Sequence, residues 1–334
     1  MDILVFILNK VLVTGLVIGS IYALGAVGVT LIAGILRFSH FAHGDVMTMG
    51  AFISFVLAGL LAGTGVGLPI ATGIVVLPLA MVLTAFIVYG FDLAFYRPLR
   101  RRGARPITLL IASIGVTMML QGVLRLFAGT ATRTFFENEP KIIYRVDMSW
   151  LGAGRPLTFT QPQVALVLLT LVAVIALHLF LSRSRLGKAM RAMADNADLA
   201  QVSGINTQLV VRVTWFIAGA LACLAGSMLA LDVQLKPDLA FNIILPIFAA
   251  AVVGGLGQSY GAIAGGFLVG FAETLAVFDW SIVVKPLTGI LPDFITSAPS
   301  LALVPTEYKL VVSFVILVLV LLSRPTGIFK GIST

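Results

Sequence analysis

The chain of 334 residues is 59% hydrophobic and only 11% charged, with a net charge of +8. Soluble domains carry about a quarter charged residues, so a water-soluble globule is excluded. The basic residues gather in separate loops rather than on one face, which speaks against nucleic acid as a partner, and the lone Cys223 excludes an intrachain disulfide.

Taken in chain order, apolar blocks predict spans over 10–34, 46–63, 68–91, 106–128, 161–181, 211–234, 240–256, 260–278 and 308–323. Each is of the length a helix needs to cross a hydrocarbon core about 30 Å thick, and helices satisfy their own backbone in lipid. The expected fold is all-α and polytopic, with about 8–10 spans, some Gly-broken or re-entrant. A single transmembrane domain then covers 1–334, with an extracytoplasmic loop expected at 129–160 and a cytoplasmic loop at 182–210. The start, MDILVFILNK, lacks the basic region and cleavage site of a removable leader and is expected to be an uncleaved first span. Gly15/Gly19, Gly59/Gly63, Gly261/Gly265 and Gly266/Gly270 have the small-xxx-small spacing of close helix packing. RFSHFAHGD (37–45) and VVGGLGQSYGA (252–262) are candidate helix breaks, in loosely corresponding places of the two halves. The spans on either side of the second break are either two crossings or a re-entrant pair.

Orientation follows from the loops. YRPLRRRGARP (96–106) carries five Arg and no acid, the 182–212 loop five basic residues against two Asp, and the tail adds Arg324 and Lys330. The 129–160 connection, which contains Tyr144 and Trp150, is nearly balanced, with four basic and three acidic residues. The positive-inside rule puts the first three in the cytoplasm and 129–160 outside. Counting back through the spans places the N-terminus outside as well.

Polar groups within the spans are few. Glu273 is the deepest; His43 and Asp45 open the second span, Asp232 lies near an outer end and His178 near an inner one. Tyr22 and Gln121 either line a path or pack between helices. Intramembrane ionisable groups are expensive and mark function, yet these are too sparse to carry a proton or ion relay with conviction. GxxxxGK[ST], HExxH and a TVGYG filter are all absent, so the chain shows no nucleotide site of its own, no zinc-protease spacing and no potassium filter.

SRLGKAMRAMADNADLAQVSGI (184–205) is different. Leu186, Met190, Met193, Ala197 and Ala200 recur at helical spacing, with Lys188, Arg191, Asp195 and Asp198 elsewhere on the wheel. Ser184 suits the helix start and Gly204 its end. Such a segment either lies on the membrane surface or offers its stripe to a partner.

The stretch GLVIGSIYALGAVGVTLIAGILRFSHFAHGDVMTMGAF (15–52) closely resembles the first signature of the LivH-type permeases of ATP-binding-cassette (ABC) importers for branched-chain amino acids. The resemblance continues through YRPLR (96–100), LLIASIGVTMMLQG (109–122), the 186–205 segment, FIAGALACLAG (216–226), AAAVVGGLGQSYGAIAGGFLVGFAETL (249–275) and SRPTGIFKG (323–331), in order along nearly the whole chain. It implies a multi-pass inner-membrane subunit, not an enzyme, that moves branched-chain amino acids or related small solutes such as urea, amides and other amino acids. It also implies a second, LivM-like permease (or a second copy of this chain), two cytoplasmic ATPases and an extracytoplasmic solute-binding protein. No cofactor or metal is expected on this chain; ATP-Mg belongs to the ATPases. Carried over to this sequence, the ATPase-coupling residues are Gly187, Arg191, Ala192, Asp195, Ala200, Gly204 and Ile205, with Leu186, Met190 and Met193 as the contact stripe. The expected pathway residues are Tyr22, His43, Gly44, Asp45, Gln121, Gly254, Gly255, Gly257 and Glu273. Two positions depart from the family pattern: His40 stands where Asn is usual, and a Lys near the start of the penultimate block is missing. The rival class is an ion-coupled secondary transporter or channel that uses Glu273 and His43/Asp45.

Overall fold

The computed structural model describes residues 2–65, 70–137, 139–149, 154–284, 301–324 and 326–329. Trp150, Lys330 and the first residues of the expected 68–91 span lie outside the described residues.

The chain forms α1 (Asp2–Leu36), α2 (His43–Ala62), α3 (Leu77–Arg101), α4 (Pro106–Ala128), α5 (Gln161–Arg183), α6 (Arg185–Asp195), α7 (Ala197–Val202), α8 (Thr207–Asp232), α9 (Ile244–Gly254), α10 (Ser259–Val277) and α11 (Thr306–Ser323). Among the described residues, eight of these are long and apolar enough to cross a membrane; α9, at 11 residues, is not. The expected span 240–256 is therefore half a helix, preceded by non-helical chain.

Local chemistry sets the boundaries. Thr160 and Gln163 form a reciprocal capping box at the start of α5, with Pro162 in its first turn. Ser184 Oγ accepts from the Gly187 N–H at 2.8 Å, starting α6 as expected. Asn196, in an extended conformation, then splits the expected single helix and caps α7 by accepting from the Leu199 N–H at 3.0 Å. Gly204, at φ +84°, ends α7 with the Ile205 N–H bonded back to the Ala200 carbonyl.

α1 is the central post. Its most apolar window is 83% buried against 6% for that of α11, which therefore lies at the periphery. Glycines let α10 approach it: a Cβ at Gly266 would lie 2.5 Å from Ala23 Cα, and one at Gly270 2.6 Å from Gly19 Cα. Gly59 is different, since a Cβ there meets nothing within 4 Å, and Gly63 faces only its own helix. The Gly59/Gly63 pair makes no helix seam in this chain, because the outer end of α2 is exposed.

Contacts sort the two ends. Asp2 accepts from the Gly154 N–H at 2.7 Å, Asn9 from the Thr158 N–H at 3.0 Å, and the Asp232 carbonyl from Lys141 Nζ at 2.7 Å. The N-terminus thus shares an end with the near-neutral connection, which the loop charges place outside. That connection carries a two-stranded antiparallel ribbon, Ile143–Val146 with Leu157–Thr160, a small addition to the all-α fold. Arginine-rich 97–105, α6 and the tail at 326–329 share the other end: Arg97 donates to Gln208 at 3.2 Å, and the Ile328 N–H to the Val253 carbonyl at 2.9 Å.

Candidate translocation site and coupling surface

α1 ends at the inner side in an αL turn at Arg37 (φ 59°), the one non-Gly positive φ among the described residues. The chain does not stay at the surface. Residues 37–42 turn back inward, burying Phe38, His40 and Ala42, and α2 begins beside Gly28. That level is about 12 Å inside the end of α1, at 1.5 Å per residue. Gly28 makes room for the imidazole, since a Cβ would lie 2.6 Å from His43 Nε2.

A second interrupted segment meets this one. After α8, residues 233–243 descend without helix and α9 starts at Ile244. A Cβ on Gly44 would lie 2.9 Å from the Ala240 carbonyl oxygen and 3.1 Å from Ile244 Cβ, and the Ala240 N–H donates to Thr48 Oγ1 at 3.1 Å. Two helices that begin inside the protein, α2 and α9, thus abut at their N-termini, an arrangement that aims backbone N–H groups and positive dipole ends at one place.

The polar side chains there are buried and under-satisfied. His43 and Asp45 are each 1% exposed, and neither His43 Nε2 nor either Asp45 oxygen makes a well-formed hydrogen bond. Asp45 faces Gln121 and Thr117 of α4, with Arg125 beyond, and Arg125 Nη1 approaches Gln121 Oε1 at 3.5 Å. The structure therefore brings His43, Gly44, Asp45 and Gln121 together.

It keeps the other expected pathway residues apart from them. Tyr22, 2% exposed, donates to Glu273 Oε2 at 2.8 Å, and Ser313 of α11 donates to Glu273 Oε1, so the deepest carboxylate has both oxygens occupied. Gly254, Gly255 and Gly257 form a tight inner-end turn: Gly255 and Gly257 have φ of 105° and 86°, and a Cβ on Gly34 would lie 3.1 Å from Gly257 Cα. This turn, not an interior break, explains the glycines of 252–262; the interior break lies in 233–243. Asp232 and His178 are tied locally, to Gln163 Nε2 at 3.1 Å and to the Tyr260 hydroxyl at 2.9 Å.

An aromatic cluster that sequence reasoning missed closes the 37–42 break. His40 lies 2.9 Å from the Tyr96 hydroxyl and edge-on to Trp215 at 5.0 Å, and Trp215 stacks on Tyr96 at 5.2 Å and 15°. The unusual His40 thus has a packing role. Beneath them Asp92, which the Trp215 indole faces, pairs with Arg100 at 2.6 Å. The lone Asp just past the third apolar block was the available signal.

On the coupling surface one expectation is corrected. Met190 and Met193 are 1% and 7% exposed, Gly187 is buried and Leu186 half-buried. The stripe packs onto this chain's own spans, and Gly187 lets α6 lie against the end of α5, where a Cβ would run into the Phe180 carbonyl. It is not a partner-facing ridge. Ala192 and Ile205 are half-buried and Ala200 is buried, whereas Arg191, Asp195 and Gly204 are exposed. The outward apolar groups are instead Leu199 (64% exposed) and Val202 (86%) of α7. From the other side the Arg37 guanidinium donates to the Ala194 carbonyl, with the Asp195 carbonyl at 3.4 Å. Cationic donors suit the end of a helix, where carbonyls are left unpaired.

Comparison with known proteins agrees with this architecture. The family model for the permease component of the branched-chain amino acid transport system matches residues 11–321. The high-affinity branched-chain amino acid transport system permease protein LivH of Escherichia coli is 33% identical over 94% of this chain and 92% of its own length. BraD of Pseudomonas aeruginosa, a permease protein of the same description, is 32% identical over 95% and 94%. The ribose import permease protein RbsC of Escherichia coli is 27% identical over 75% and 73%. No solved structure matches. With eight membrane-length helices and similarity running from the first span to the last, the chain belongs to the branched-chain amino acid transport permease family, as a multi-pass permease component of the inner membrane.

Proposed function

We propose that this permease is the translocating half of an ABC importer for branched-chain amino acids or similarly small polar solutes, driven by ATP-Mg hydrolysis on two separate cytoplasmic ATPases. A second permease, LivM-like or a second copy, completes the path, and an extracytoplasmic binding protein delivers the solute. One observation carries the mechanism: Arg37 holds the C-terminal carbonyls of α6 and is also the first residue of the break that leads into α2. A displacement of α6 and α7 by a docked ATPase pulls on Arg37, and through the short 37–42 segment on His43 and Asp45. The under-satisfied polar atoms of that region and the opposed N-termini of α2 and α9 supply donors and acceptors to a passing polar solute. A buried polar group short of a good hydrogen bond costs about 1–3 kcal/mol, and a polar solute in the path would supply one. The exposed ribbon residues Ile143 (53%) and Tyr144 (41%) offer the binding protein an apolar contact on the outer side.

The substrate class rests on the named relatives, and the ribose permease among them shows that related chains serve other solutes. Glu273 argues against the ion-coupled alternative, because both of its oxygens are engaged by Tyr22 and Ser313. Reconstitution in proteoliposomes tests the proposal: leucine uptake is expected only with the ATPases, the binding protein and ATP all present. Gradient-driven uptake by the purified permease alone refutes it.

A further inference from the structure

At the inner end of α3 a cavity of about 310 Å³ lies between α1, α3, α6 and α8. Four guanidinium groups line it, from Arg97, Arg100, Arg101 and Arg212, against one carboxylate, Asp92, which is already paired with Arg100 at 2.6 Å. A second cavity of about 330 Å³ adjoins it, shares Arg97 and Arg101, and adds Arg102. Among the described residues Arg101 and Arg212 have no carboxylate partner. Arg100 Nη1 is shielded from solvent and makes no hydrogen bond. Charge concentrated this way repels itself unless an anion enters.

The walls say which anion. Between the arginines the cavity also has apolar walls, Leu36, Leu93 and Val211, with Tyr89 one turn before Leu93 on α3. Leu93 is 40% exposed, and the outward face of α3 continues with Phe86 (57%) and Leu79 (54%). The site therefore sets forked cationic donors beside an exposed apolar face of α3 that runs away from them along the helix. Guanidinium forks pair bidentately with phosphate, and basic clefts between spans on the cytoplasmic side suit anionic headgroups.

We propose that this cavity binds the phosphate of an anionic phospholipid, whose acyl chains lie along α3. The site is distinct from the solute path at His43 and Asp45 and holds the start of α8 against the end of α3, below the Asp92–Trp215 contact.

Native mass spectrometry of the full chain in detergent, with phosphatidylglycerol or phosphatidylcholine added, tests it. Wild-type protein is expected to retain phosphatidylglycerol, and Arg101→Gln/Arg212→Gln to retain it roughly 30-fold less, at the strength typical of two interfacial arginines. Phosphatidylcholine is expected to bind both proteins equally and weakly. Arg212→Gln alone leaves the α3 cluster untouched and is expected to lose about fivefold, which guards against a folding defect in the double variant. Equal phosphatidylglycerol retention in all three proteins overturns the proposal, as does phosphatidylcholine retention matching phosphatidylglycerol. Displacement of the lipid by millimolar inorganic phosphate overturns the lipid assignment in favour of a free-anion site.

Discussion

The sharpest prediction concerns which face of the α6–α7 pair meets the ATPase. Leu199 and Val202 project from α7 at 64% and 86% exposure, whereas Met190 is 1% exposed against the permease core. Replacing Leu199 and Val202 with Asp removes no internal contact of consequence, so the folded permease is expected to be about as stable as the parent. Burial of an aliphatic side chain is worth about 1.5–3 kcal/mol; after discounting for imperfect burial at an interface, the pair is expected to cost about 3 kcal/mol of association. That is roughly a hundredfold in Kd. Met190→Ala is expected to do the reverse, costing about 2–5 kcal/mol of stability through the cavity it leaves and little affinity in the fraction that folds. The assay is ATPase-subunit binding to the permease in nanodiscs, with thermal unfolding of each variant alongside. If Met190→Ala abolishes binding at unchanged stability while the double Asp variant binds normally, the stripe faces the partner and the packing described above is wrong.

Four further outcomes follow from the same contacts. Arg37→Gln is expected to leave ATPase binding intact while lowering ATP-driven uptake at least tenfold, read as a ratio of hydrolysis to transport; parallel loss of both would sever the link between α6 and α2. Asp45→Asn removes a buried carboxylate without a well-formed hydrogen bond, so thermal stability should hold or rise while uptake falls; unchanged uptake would remove Asp45 from the path. Glu273→Gln keeps an oxygen for one hydroxyl and places an amide against the other, which can reorient to accept. A stability change within about 1 kcal/mol and near-normal uptake are expected, whereas a dead but stable variant would revive the ion-coupled reading. Gly226→Ala drives a Cβ into the Met47 carbonyl at the α2–α8 crossing. Because that obstacle is backbone, a loss of about 1–3 kcal/mol is expected, measured as a lower unfolding midpoint.

Much of this was legible before any coordinates. Hydropathy located α4 and α5 to within a few residues, since a window of apolar side chains long enough for the bilayer is a local property. Ser184 did the same for the start of α6, where it takes the orphan N–H of Gly187, though not for its end, which falls at Asn196 rather than at Gly204. Loop arginines give an expected orientation, because positive-inside bias is also read residue by residue. The 37–45 break was visible in its polar and glycine residues. The matching break was misplaced: apolar 240–256 reads either as a crossing or as part of a re-entrant pair, and only packing against Gly44 reveals that helix begins at Ile244.

By itself, then, the sequence determined that this is a helical membrane protein and which family it belongs to. Both depend on composition, spacing and order along the chain. Only the tertiary structure decided which faces are spent internally. A stripe such as Leu186, Met190 and Met193 has the same periodicity whether it docks on a partner or on its own spans, and burial shows that it does the latter. Glu273 reads as an intramembrane acid in need of a partner, and Tyr22 and Ser313 are what satisfy it, while Asp45, which the sequence singles out together with His43, is the carboxylate left without a well-formed hydrogen bond. Hydrogen-bond satisfaction is settled by residues far apart in the chain, and no local pattern encodes it.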